Sequence, residues 1–244
     1  MQVLRRVTAF RHDGNGLVLK RFVERKRGAT ARMRKWKSVI LDYGMVLCRA
    51  PEPDAIAQMC KVFSVDGPTF WQIYDRDRLL YDRGGMTAEE YWHKFAGHAS
   101  ATIDERQLQW LREFDIEMFS VMDDALLQWA EDLRSAGYKT AILSNLNQEF
   151  TAHMRAKCDW IKRFDLQVFS SEVGLTKPDP EIYRHTLRAL ETDPSDAIFV
   201  DDRVANIEAA EEIGITTVKY ESRDQLRKEM EKLHFDVLPA REVS

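Results

Sequence analysis

Along this chain, short apolar runs alternate with stretches in which apolar residues return every three or four positions. The runs Ser38-Val39-Ile40-Leu41, Thr140-Ala141-Ile142-Leu143, Leu166-Gln167-Val168-Phe169-Ser170, Ala197-Ile198-Phe199-Val200 and 215–219 have the length and composition of buried strands. Helical spacing fills the gaps. Leu126, Leu127, Ala130 and Leu133 share one face of a helix expected over 123–136, and Gly137 stands where it would stop. Further helices are expected at about 147–158, at about 180–190 after a turn bracketed by Pro178 and Pro180, and between the last two strands. A final helix begins at Ser222-Arg223-Asp224-Gln225, which has the form of a capping box. Strands joined by crossover helices form a parallel sheet, so the expected fold class is α/β with a Rossmann-like core.

The alternation breaks once. Between the first strand and the helix at 123 lies a stretch rich in aromatic residues at helical spacing, with no convincing strand. Pro51 and Pro53 mark its entrance, Gly84-Gly85 a break within it, and Thr87-Ala88-Glu89-Glu90 a helix start. Residues 51–119 are therefore read as an all-helical insertion, and 34–50 with 120–244 as the core. Trp71 with Tyr74 and Trp92 with Phe95 stand three apart, as packed faces of helices do. The polar residues Arg76, Asp82, Arg83, His93 and Lys94 either reach a ligand or face solvent.

Composition adds boundaries. The chain has 244 residues, 44% of them apolar, enough for one sizeable domain with an insertion. Residues 1–37 hold twelve Lys or Arg against Asp13 and Glu24, a net of +10 within a total of −4, so the remainder carries −14. That balance argues against a general nucleic-acid binder. Residues 1–33 read as a basic extension, disordered or preceding the true start at Met33. No apolar run suits a membrane span. Cys48, Cys60 and Cys158 have no metal-ligand spacing and read as unpaired thiols, so the expected setting is cytoplasmic.

The candidate chemistry sits at strand ends, where an open α/β sheet keeps its ligands. Asp42 closes the first strand, Ser144-Asn145 the second, and Asp201-Asp202 the fourth. Three carboxylates meeting in one crevice repel and tend to take up protons. Lys177 is one nearby cation, and a divalent metal with oxygen ligands, Mg2+ where phosphate is also bound, would resolve the surplus. Taken singly, Asp42 or Asp202 reads equally well as a helix cap, Ser144 as a turn residue and Lys177 as a surface lysine.

Taken together and in this order, they resemble the haloacid dehalogenase superfamily. The four motifs are Asp42-Tyr43-Gly44-Met45-Val46, Ser144-Asn145, Lys177 in Gly174-Leu175-Thr176-Lys177-Pro178-Asp179, and Asp201-Asp202-Arg203-Val204-Ala205-Asn206. The helical insertion lies where that family places a small cap. The resemblance implies a phosphatase in which Asp42 is nucleophile and metal ligand and forms an aspartyl-phosphate. It assigns metal contact also to Asp202 and to the backbone carbonyl of Gly44, and orientation of the metal shell to Asp201 and Asn206. Lys177, Ser144 and Asn145 would bind the phosphoryl oxygens.

Most phosphatases of the family carry a second aspartate, a general acid, where this chain has Gly44. General acid–base help is worth ~10²–10⁴ in rate, so leaving groups that need little protonation are favoured. An Asp-x-Gly-x-Val branch of the superfamily, which includes a phosphatase of glucose 1-phosphate, resembles the chain closely. The expected substrate is accordingly a small phosphorylated metabolite, foremost a sugar phosphate. Two alternatives stand beside it. A metal-free 2-haloacid dehalogenase is opposed by the Asp201-Asp202 pair, and a catalytically silent binder of a phospho-ligand or protein draws on Gly44.

Overall fold

The computed structural model describes residues 35–242; the basic extension expected at 1–33 lies outside them. Strands β1 (Ser38–Leu41), β2 (Lys139–Ser144), β3 (Leu166–Phe169), β4 (Ala197–Asp201) and β5 (Thr216–Lys219) form one sheet, all parallel, in the order β3-β2-β1-β4-β5. β1 is central and pairs in register with β2 on one side and β4 on the other, Leu41 lying opposite both Ile142 and Val200. The strand order reverses there, which opens a crevice at the carboxyl ends of these three strands.

Alternation of side chains across the sheet builds two layers of core. Val39, Leu41, Ile142, Ile198 and Val200 face one side, with Leu126, Leu133, Leu226 and Met230. Ile40, Ala141, Leu143 and Phe199 face the other, with Ile182, Tyr183, Leu187 and Ala210. The segment between β1 and the first core helix holds α1 (Pro53–Phe63), α2 (Gly67–Arg76), α3 (Arg78–Asp82), α4 (Ala88–His98) and α5 (Glu105–Glu117). The core helices follow: α6 (Asp124–Ser135), α7 (Gln148–Lys157), α8 (Ser170–Val173), α9 (Pro180–Leu190), α10 (Val204–Glu212) and α11 (Arg223–Lys232).

Local chemistry explains most boundaries. α6 ends in a Schellman arrangement: Gly137, at φ +91°, donates to the Arg134 carbonyl and Tyr138 to that of Leu133. Thr87 and Glu90 form the expected capping box, and Asp104 with Gln107 forms another that opens α5. At α11 only half of the expected box is present. Ser222 accepts from the Gln225 backbone, while the Gln225 side-chain carbonyl accepts from Glu221 instead of Ser222.

The helical insertion has a hydrophobic core of its own. Phe63, Phe70, Tyr91, Trp92 and Phe95 are buried together, and the Trp71/Tyr74 and Trp92/Phe95 pairs make ring contacts at 5.2 and 5.5 Å. Its two connections to the sheet run side by side as a short antiparallel ribbon. Arg49 donates to the Val121 carbonyl and Asp123 to that of Leu47, flanking a bridge between Cys48 and Met122. The insertion is thus anchored a few residues beyond Asp42 and lies over the sheet's carboxyl edge.

Candidate active site

Asp42 leaves β1 still in extended conformation and its backbone N–H bonds to the Val200 carbonyl, so its carboxylate is fixed at the strand's end. The chain then reverses through a type II turn, with Gly44 at φ −62°, ψ 130° and Met45 at φ 59°, ψ 0°. A positive φ is unusual for a long side chain, and here it leaves the Met45 side chain 41% exposed beside Asp42. Cys48 closes the reversal by donating to the Tyr43 carbonyl, and the Tyr43 hydroxyl donates to the Phe119 carbonyl, tying the turn to the end of the insertion.

Lys177, which sequence alone leaves free to be a surface residue, is buried. Its ammonium sits 2.8 Å from Asp42 Oδ1 and 2.6 Å from Asp201 Oδ2. Asp201 is further held at Oδ1 by the Arg203 N–H at 2.8 Å and by Asn206 Nδ2 at 3.0 Å. Asn206 is positioned in turn by α10, whose first turn is capped by no side chain. The Asp202 carboxylate, by contrast, has no ion-pair partner among the described residues. One oxygen each from Asp42, Asp201 and Asp202 lies within 4.8 Å of the other two.

Electrostatics follows from this crowding. Burial pushes the Asp42 carboxyl up, to about 7, against the pull of Lys177 and with the help of Asp201 and Asp202. Burial and Asp201 likewise raise Asp202. Asp201 also suffers burial, but Lys177, Arg203 and Asn206 outweigh it and hold its carboxyl below the usual range. Burial works against the charge on Lys177, yet the two aspartates raise its pKa above that of an ordinary lysine. Two carboxylates thus share one cation and the third has none among the described residues, and an all-oxygen donor set with negative charge in excess fits a divalent ion such as Mg2+.

The residues after β2 divide their work. Ser144 is buried, lines the crevice, and its hydroxyl makes no hydrogen bond among the described residues. Asn145 uses its carboxamide differently from the sequence expectation of a phosphoryl donor. Nδ2 donates to the Lys177 carbonyl and Oδ1 accepts from the Lys177 N–H, both at 2.8 Å. Its side chain therefore grips the backbone that carries the lysine.

A cavity of about 1470 Å³ joins this cluster to the insertion, lined on the strand side by Asp42, Ser144, Lys177 and Asp202. On the other side are α1, α2 and α3. Asp82 lies in this wall and is buried, whereas Arg76, Arg83, His93 and Lys94 are exposed and outside it. Sequence reasoning missed Arg78, whose guanidinium pairs with Asp82 at 3.0 Å and Asp115 at 3.2 Å and covers the Tyr74 ring at 4.4 Å. The available signal was its i,i+4 spacing from both Tyr74 and Asp82.

A family model described as haloacid dehalogenase-like hydrolase matches residues 26–214. The chain belongs to that family. It is 30% identical over 213 residues to acyl-CoA dehydrogenase family member 10 of Mus musculus, covering 82% of this chain but only 19% of that protein. To D-ribitol-5-phosphate phosphatase of Bacteroides thetaiotaomicron it is 25% identical over 80% of this chain and 96% of the relative. Among solved structures, a HAD family enzyme of Bacteroides thetaiotaomicron in complex with magnesium and inorganic phosphate superposes with a TM-score of 0.59. That match is 21% identical over 76% of this chain and 94% of the other, a likeness of fold.

Proposed function

We propose that the chain is a Mg2+-dependent phosphomonoesterase acting through an aspartyl-phosphate on Asp42. The observation that carries the reading is the buried Asp42 carboxylate, 2.8 Å from Lys177 and converging with Asp201 and Asp202 at the mouth of the sheet. A phosphatase relative of nearly the same length, acting as its name says on D-ribitol 5-phosphate, supports it, as does the magnesium and phosphate bound in the related fold. Mg2+, held by Asp42, Asp202 and the Gly44 carbonyl, would supply positive charge against the carboxylates and the phosphoryl group.

In this reading an Asp42 oxygen bonds to phosphorus as the P–O bond to the alcohol breaks. The departing alkoxide takes its proton from solvent, since Gly44 offers none. Water then adds to phosphorus, the acyl-phosphate P–O bond breaks, and Asp42 is regenerated with release of inorganic phosphate. Lys177 keeps Asp42 oriented and offsets charge on the phosphoryl oxygens. The unpaired Ser144 hydroxyl donates to those oxygens as charge builds on them. Asn145 acts one step removed, by fixing the Lys177 backbone; Asp201 and Asn206 fix Lys177 and the metal site. The helical insertion serves as the cap, and the free thiols fit a cytoplasmic setting.

Two substitutions probe these roles. Asn145→Ala removes both bonds to the Lys177 backbone and is expected to lower kcat on the order of tenfold, the cost of a lost pair of half-buried hydrogen bonds, measured by steady-state phosphate release. Gly44→Asp should do the opposite. Gly44 has a backbone conformation open to any residue, and a Cβ there would meet nothing within 4 Å. The new carboxyl can serve as acid, raising turnover of alkyl phosphates by ~10²–10⁴ while changing p-nitrophenyl phosphate little, because that leaving group needs no proton.

The test of the reading is phosphate release from p-nitrophenyl phosphate with Mg2+ or EDTA. Turnover that EDTA abolishes and Mg2+ restores is expected. No release with Mg2+ bound would favour the silent binder instead. The sugar-phosphate expectation rests on the leaving-group argument and on the ribitol phosphate relative; the cavity bears on it separately.

A further inference from the structure

The cavity over the phosphate site is larger and more apolar than a sugar phosphate needs. At about 1470 Å³ it exceeds the ~300–1,000 Å³ typical of small-ligand pockets. Its apolar lining includes Met45, from the turn after Asp42, and Ile56, Cys60, Val65, Trp71 and Leu79 of the insertion. Of these, Met45 and Leu79 are among the few large hydrophobic side chains the fold leaves exposed, at 41% and 49%. Both line this cavity, and Met45 does so at a positive φ next to Asp42.

Several polar groups of the same wall are already committed. Asp66 caps α2 through the Thr69 N–H, Asp75 faces Arg203 at 3.9 Å, and Arg78 is shared between Asp82 and Asp115. Tyr74 donates its hydroxyl to Asp115. A sugar's hydroxyls would have to compete with these bonds or reach Lys61 and Ser64 at the exposed rim, whereas a hydrocarbon needs none of them.

Resting on the phosphatase reading above, the geometry points to a phosphate monoester of a long apolar alcohol, its head at Asp42 and its chain along Met45, Trp71 and Leu79. A linear alkyl or a branched prenyl chain shares this chemistry.

The test measures binding, in Mg2+, of n-alkylphosphonates from methyl to decyl, which cannot be turned over. Affinity is expected to rise roughly threefold per methylene, and Leu79→Asp, at an exposed site, should weaken decylphosphonate roughly tenfold relative to methylphosphonate, with folding checked by circular dichroism. Dodecyl and farnesyl phosphate then separate linear from branched chains by their kcat/KM. A flat phosphonate series would overturn the inference, and p-nitrophenyl phosphate turnover alongside it would leave the phosphatase reading standing. A steep series with no turnover of any ester would keep the chain site and sink the phosphatase reading.

Discussion

Asp42→Asn is expected to eliminate phosphate release, by roughly 10⁴-fold or more, the scale on which removal of a covalent nucleophile acts. The substitution keeps the volume and much of the hydrogen bonding of the side chain, and Lys177 keeps Asp201 as its partner at 2.6 Å. Folding should therefore survive. Urea unfolding checks that, and steady-state assay with p-nitrophenyl phosphate and Mg2+ checks the rate. Because the carboxamide cannot attack phosphorus, the loss should appear in kcat for every ester, whatever its leaving group. A loss confined to KM would mean that Asp42 only binds.

Lys177→Met is expected to cost both activity and stability. The lysine is buried at 2% exposure between two aspartates, so removing it leaves Asp42 and Asp201 without their cation. Breaking a buried pair by deleting one partner costs about 3–5 kcal/mol, a large share of a domain's total stability. The midpoint of urea unfolding should fall accordingly, and added Mg2+ should recover part of it by binding the folded state. Turnover should fall on the order of 10²–10³-fold, as when one transition-state donor is removed. Arginine is no conservative replacement here, since its planar fork cannot occupy the place of a single ammonium between two carboxylates.

Much of this architecture is legible in the residues because the local signals agree with one another. The apolar runs end within a residue or so of the observed strands, and Pro180 and Gly137 stand where α9 begins and α6 ends. The convergence of Asp42, Lys177, Asp201 and Asp202 follows from placing each motif at a strand end or in the loop facing one. What the sequence hides is how partners are shared. The Asn145 carboxamide could aim at a ligand or at backbone, and only the fold brings the Lys177 peptide within 2.8 Å. Arg78 carries no mark in the sequence of its pairing with Asp115, which is distant along the chain and comes beside it only in the fold. Met45 shows no sign in composition of its left-handed conformation, which the tight reversal after Asp42 imposes. The basic character of residues 1–33 stands as a feature of the sequence.

These features tie the fold to one chemical claim. The ribbon at Cys48 and Met122 anchors the insertion beside Asp42, and the insertion's apolar side then faces the carboxylate cluster. Under the proposed function, phosphate capture at the strand ends and selection of the ester's alcohol by the insertion would be separate tasks of separate residues. Gly44, lacking an acid, would then limit the rate for poor leaving groups without disturbing either task.

The measurement that tests the central claim most directly is acid quench of enzyme mixed with excess p-nitrophenyl phosphate and Mg2+, followed by peptide mass spectrometry. The account predicts phosphate bound covalently to Asp42, formed only with Mg2+ and absent from Asp42→Asn. Phosphate release at full rate with Asp42 unmodified, or turnover that persists in Asp42→Asn, would contradict it.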